Sequence, residues 1–140
     1  METPQKIRHG TADWFAMVGA IMVEGALQAG LPAELNVSLV ERYTDGLPLP
    51  GGMVQGLRFE IVAGKPSFRV GAYPGERADL VIAISAGAAR TLNRLYSADP
   101  QYGITLAALL QSGEMRVSGD MTRLGDWLGA AHDPIVARTQ

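Results

Sequence analysis

Apolar positions change their spacing several times along the chain. From Asp13 to Gln28 they crowd nearly all round: Trp14, Phe15, Met17, Val18, Ile21, Met22, Val23 and Leu27, with only Glu24 and Gln28 interrupting the body of the segment. This predicts a helix capped by Thr11 or Asp13 and ended by Gly30-Leu31-Pro32. A helix so uniformly apolar needs cover on more than one side. Core packing is the simplest source of that cover; a homodimer face or a lipid contact through Trp14–Leu27 would also serve.

The period then falls to two. Leu35, Val37 and Leu39 alternate with Asn36, Ser38 and Arg42, which predicts a half-buried strand over Glu34–Thr44. Asp45–Gly56 is a loop rich in Gly and Pro that carries Leu47, Leu49, Met53 and Val54. Phe59 and Ile61 alternate with Arg58 and Glu60, and Phe68 and Val70 continue across a Gly64-Lys65-Pro66 turn, so these runs read as a hairpin. Leu80–Ile84 is apolar on both faces and reads as an interior strand.

Ser85 opens a helix to about Tyr96, and Ile104–Gln111 forms a short second one ending at Gly113. Glu114–Ser118 alternates as a strand, and Asp120 caps a last helix from Met121 to about Ala131. The order is helix, three strands, a fourth strand, two helices, a fifth strand and a final helix. That is an α+β layout: a mostly antiparallel sheet with helices packed on it. Residues 1–10 read as a mobile polar tail, and 11–140 as a single domain.

Composition narrows the function classes. A chain of 140 residues with 47% hydrophobic and 19% charged residues can bury a core without staples. The net charge of −2 argues against nucleic acid as a partner. Without cysteine there is no thiol chemistry, disulfide or cysteine-bound zinc, and two histidines leave little for a metal site. No cofactor is expected. The run Trp14–Val23 is half the roughly 20 residues a membrane span needs, and no targeting signal stands out, so a cytoplasmic protein is the expectation.

Candidate chemistry is thin. Gly56–Lys65 lacks the spacing of a phosphate loop, and Pro66 stands at its hydroxyl position. Ser85 lies between a strand and a helix as a hydrolase nucleophile does, but Ala83 replaces the first elbow glycine and a helix cap explains the serine better. His132 beside a helix end and His9 in the tail make a weak catalytic pair. Arg58, Arg69 and Arg116 alternate with Glu60 and Glu114, which suits a solvated sheet face better than an anionic head-group site. Apolar stripes remain: Met121, Leu124, Trp127 and Leu128 on the last helix, and Leu106, Leu109 and Leu110 before it. They serve either a filled core or the wall of a lipid cavity.

Two segments carry a family resemblance. Ala78-Asp-Leu-Val-Ile-Ala-Ile-Ser85 resembles the strand-into-helix segment of the sterol carrier protein 2 family. Leu106-Ala-Ala-Leu-Leu-Gln-Ser-Gly113, followed by the stretch to Gly119-Asp120-Met121, is similar to its closing signature: short helix, Gly, strand, Gly-Asp, amphipathic helix. The resemblance spans Phe59–Leu128, about half the chain. It implies an α+β fold with a five-stranded sheet, helices over one face, and a hydrophobic tunnel between them. It also implies non-catalytic binding or carriage of a sterol, fatty acyl or isoprenoid lipid, as in bacterial relatives that serve isoprenoid quinone synthesis, with transient membrane contact. The positions matching the family's pocket-bearing segments are Leu106, Leu109, Leu110, Met115, Val117, Met121, Leu124 and Leu128. The opening is expected at the Asp45–Gly56 loop or the last helix. The alternative to a lipid carrier is an interaction or accessory module that homodimerises through the first helix around a filled core.

Overall fold

A computed structural model describes residues 5–140. Helix α1, Ala12–Ala29, begins where the Thr11 hydroxyl accepts the Trp14 N–H at 3.2 Å and stops at Gly30, whose φ of 64° closes the last turn. Five strands follow: β1 Val37–Tyr43, β2 Val54–Val62, β3 Lys65–Ala72, β4 Leu80–Ile84 and β5 Met115–Ser118. Their order in the single sheet is β3-β2-β1-β4-β5. Only the β1–β4 pairing is parallel; the other three are antiparallel. The expected α+β class and mostly antiparallel five-stranded sheet are therefore present.

The β2–β3 hairpin turns on two residues, Ala63 and Gly64, with φ of 50° and 76°. A side chain at Gly64 would bring its Cβ within 2.6 Å of the Pro32 carbonyl, so this turn is closed to larger residues. Alternation on the hairpin sends Leu57, Phe59 and Ile61 into the core and Arg58 and Glu60 to the opposite face. Phe68 shares the inner face and its ring lies against the backbone of α1: a Cβ at Gly19 would stand 2.3 Å from it. Glycine at that one helical position lets α1 settle onto β3.

On the outer face the β3–β4 connection crosses the sheet. Glu76 binds it down by accepting from the guanidinium groups of Arg58, at 3.0 Å, and Arg69. Although burial pushes the Glu76 carboxyl up, the Tyr73 N–H and those two arginines outweigh it and hold it below the ordinary carboxylate range. Two of the three arginines noted on this face are thus held internally, and the third, Arg116, donates to the Gly113 carbonyl.

Helix α2, Ala86–Leu92, is capped by Ser85, whose hydroxyl accepts the Ala88 N–H at 3.2 Å. Helix α3, Pro100–Ser112, starts four residues earlier than expected because Asp99 caps it and Pro100 fits its first turn. The last helix is not continuous. Asp120 caps a 3₁₀ turn, Met121–Arg123; Gly125, at a φ of 97°, breaks the chain; then come α4, Trp127–Ala130, and α5, His132–Ala137. Gly125 permits a left-handed conformation that no continuing helix contains. His132 therefore lies just past the end of α4, as expected, and also opens α5.

Nor does the described part of the 1–10 tail trail away. The Ile7 N–H donates to the Arg138 carbonyl, Ile7 bridges to Thr139, and His9 is buried against Tyr43; residues 1–4 of that expected tail lie outside the described residues. Trp14, Phe15, Met17, Val18 and Met22 of α1 are likewise buried in the chain's own core, while Leu27 is exposed. No helix among the described residues is long and apolar enough to cross a membrane.

Candidate functional site

Between the inner face of the sheet and the helical layer lies a cavity of about 570 Å³. Its floor is Leu39 and Glu41 of β1, Ile82 and Ile84 of β4, and Met115 of β5. Trp14, Val18 and Met22 of α1 form one wall, and Ala89 and Leu92 of α2 another. The broken C-terminal segment closes the top with Met121, Leu128, Ala131 and Ile135. Exposed Thr122, Gly125, Asp126 and Gly129 form the rim, so the mouth lies at the interrupted helix. The volume falls within the ~300–1,000 Å³ of small-molecule sites, and the lining is mainly apolar as such sites are.

Of the eight positions matched by the resemblance, Met115, Met121 and Leu128 line this cavity. Leu106 and Leu109 pack against the core from α3 without reaching the lining, and Leu110 points to solvent. Val117 is half-exposed on the edge strand, and Leu124 is fully buried in the core. The Asp45–Gly56 loop contributes no residue to the wall. Its ends are tied instead by the Pro48–Val54 bridge and by Gln55, which bonds the Leu47 N–H and the Gly10 carbonyl.

One wall residue breaks the apolar pattern. Glu41 sits on the inward parity of β1 between Leu39 and Tyr43, deep among protein atoms, with part of its surface on the cavity. Burial raises its carboxyl from 4.5 to about 7. No hydrogen-bond or salt-bridge partner meets it among the described residues. The signal was present in the strand: positions 37, 39, 41 and 43 share one face, and only 41 is charged.

Most of the other polar groups here have partners; the Tyr102 hydroxyl has none among the described residues. Tyr102 and His132 lie at one end of the cavity with ring centroids 4.5 Å apart. The His132 Nε2 meets the Leu95 carbonyl at 2.8 Å. Burial, followed by the nearby Asp133 charge, pushes the Tyr102 hydroxyl up. Asp133 accepts from both the N–H and the hydroxyl of Ser97, which hold its carboxyl low. Ser85 spends its hydroxyl on the α2 cap. Among the described residues no group of three or more His, Asp or Glu side chains is arranged to hold a metal.

No protein-family model and no curated protein matches this chain. Solved structures do, across nearly its whole length. The chain is similar to sterol carrier protein 2 domains. A crystal structure of sterol carrier protein 2 aligns with a TM-score of 0.48 at 16% identity, over 91% of this chain and 95% of its own. A UbiJ-SCP2 ubiquinone synthesis protein aligns with a TM-score of 0.47 at 17% identity, over 89% and 93%. A double mutant of a sec-alkyl sulfatase gives 0.49 at 19% identity over 85% of this chain, which spans only 16% of that enzyme's length.

Proposed function

We propose that this protein binds an apolar ligand in the cavity between sheet and helices and carries it without transforming it. The observation that bears this reading is the cavity itself: about 570 Å³, walled by Trp14, Val18, Met22, Leu39, Ile82 and Ile84 from elements that otherwise form the core. A filled-core interaction module leaves that space unexplained. The resemblance in Ala78–Ser85 and Leu106–Met121 to a family of lipid carriers points the same way.

The affinity is physically sufficient. Burying ~300 Å² of hydrocarbon chain together with the smaller apolar wall it covers removes ~480 Å² from water, worth about 12 kcal/mol at 25 cal/mol per Å². Association costs of about 4 kcal/mol, the low end of their range, leave a micromolar complex. We place the ligand's entry at the break around Gly125, because rim residues on both sides of it open the cavity to solvent.

Titration with N-phenyl-1-naphthylamine, an uncharged fluorescent probe, tests the reading. The expected result is saturable uptake of one probe per chain with a micromolar Kd. Leu128→Trp, which fills the mouth without adding charge, should weaken uptake at least about tenfold while the thermal melt is retained. Unsaturable uptake, or equal uptake by a folded Leu128→Trp variant, would overturn it.

A further inference from the structure

Apart from His132, the ionisable groups of the cavity wall are acidic. Glu41 lies deep in it and Asp126 stands at its rim, while no lysine or arginine lines it among the described residues. Arg42, next in sequence to Glu41, belongs to the opposite parity of β1 and so to the outer face of the sheet. Asn93 spends its side-chain amide on the Ala89 carbonyl at 2.8 Å, and the His132 Nε2 is engaged by Leu95. The Glu41 carboxyl and the Tyr102 hydroxyl are left without a partner among the described residues; Tyr102 stands beside His132 at one end of the cavity, and Glu41 is the one set in the apolar floor of the sheet.

A carboxyl set in an apolar wall, only partly exposed and with no internal partner, gains most from a ligand that supplies a hydrogen bond. From this arrangement, and resting on the cavity reading above, we infer that Glu41 is the polar anchor of the ligand site and selects amphiphiles whose head donates a hydrogen bond. A hydroxyl or an amine on an apolar chain meets that requirement. A free carboxylate does not: at Glu41 it would bring a second negative charge into a space without a compensating cation. Acceptor-only heads such as esters gain nothing from the ionised carboxyl. The apolar floor of Leu39, Ile82 and Ile84 on either side of Glu41 accommodates the chain. In this chain, then, the cargo class is set by one residue of β1.

Competition against N-phenyl-1-naphthylamine at pH 8 tests this with matched twelve-carbon chains: dodecan-1-ol, dodecan-1-amine, dodecanoate and methyl dodecanoate. The alcohol, the amine or both should displace the probe at concentrations at least about tenfold below dodecanoate, as one charge-assisted hydrogen bond allows. The stronger of the two identifies the head. The ester should fall short of the donors by about fivefold or more. In Glu41→Gln, checked for folding by its thermal melt, the donor-to-carboxylate gap should shrink to about twofold. Equal displacement by dodecanoate and the donors in the native protein would overturn the assignment of the head group and leave the cavity reading standing. So would an undiminished gap in Glu41→Gln. Failure of all four chains and of the probe to bind would overturn both.

Discussion

Replacing Glu41 by glutamine should stabilise the protein at alkaline pH and leave it nearly unchanged at acid pH. The folded carboxyl is raised from 4.5 to about 7 by burial. Between those values the folded chain holds a proton that the unfolded chain has lost, so stability falls as pH rises through this window and stays low above it. Below the unfolded value both states are protonated and no penalty exists. At roughly 1.4 kcal/mol per tenfold in proton affinity, the ionised carboxyl costs about 3 kcal/mol at most. Water entering the cavity reduces that, so about 1.5–3 kcal/mol is the expected range.

The assay is urea unfolding of both proteins at pH 4 and pH 8.5, read as a difference of differences. That subtraction removes every other titrating group, His9 included. With a urea dependence near 2 kcal/mol per molar, the midpoint of Glu41→Gln relative to the native protein should move up by about 1 M more at pH 8.5 than at pH 4. A change below about 0.25 M, or one of opposite sign, would show that Glu41 pays no burial penalty. The basis for its role in the cavity would then be gone.

Other consequences are equally open to measurement. His9 is held neutral by burial and by the charges of Arg90 and Arg94, which lower it from 6.5 to about 4. The unfolded chain therefore gains a proton that the folded chain refuses as pH drops through that window, so His9 removes up to about 3 kcal/mol of stability on acidification. Its ring should titrate near pH 4 by NMR, and a midpoint near 6.5 would contradict the buried bond to Tyr43. Gly19→Ala should cost about 1–3 kcal/mol because its Cβ would stand 2.3 Å from the Phe68 ring. In a Phe68→Ala background the same change should be neutral or stabilising by up to about 1 kcal/mol, and a full cost in both backgrounds would refute the contact. Glu76→Gln should lose about 1–3 kcal/mol in chemical denaturation, since Arg58 and Arg69 are cross-strand neighbours that would then face each other without their shared carboxylate.

Much of the fold was legible because its signals are local. The alternation around Phe59 and Ile61 fixed the inward face of β2, and Ser85 was readable as a cap from its place before an apolar run. The Leu106–Met121 segment carried its strand between Gly113 and Gly-Asp as expected. The continuous last helix was not there. Met121, Leu124, Trp127 and Leu128 repeat at three and four residues, a spacing that 3₁₀ and α turns share, so periodicity alone could not reveal the break. Gly125 could have, since a glycine inside an apolar helical stripe signals either a cost or an interruption. The start of α3 was also marked, by Asp99-Pro100.

The cavity was harder to read because its wall is assembled from α1, three strands, α2, Tyr102 of α3 and the C-terminal segment. Matching one stretch of sequence reached Met115, Met121 and Leu128 but also took in Leu110 and Val117, which face solvent to a large degree. Trp14, Val18 and Met22 looked like core or dimer face, and whether such a helix abuts a filled or a hollow interior is a property of the packing. Glu41 is the exception. Its inward parity was visible in the strand, yet an isolated carboxylate attracts notice only when the face it shares is known to be buried.

The central claim is that the interior is hollow and takes an apolar ligand. Native mass spectrometry of the freshly purified protein, with organic extraction of any adduct and addition of N-phenyl-1-naphthylamine to whatever fraction is empty, tests it most directly. One apolar adduct or one probe molecule per chain is the predicted result. A bare mass that stays bare at saturating probe would contradict it.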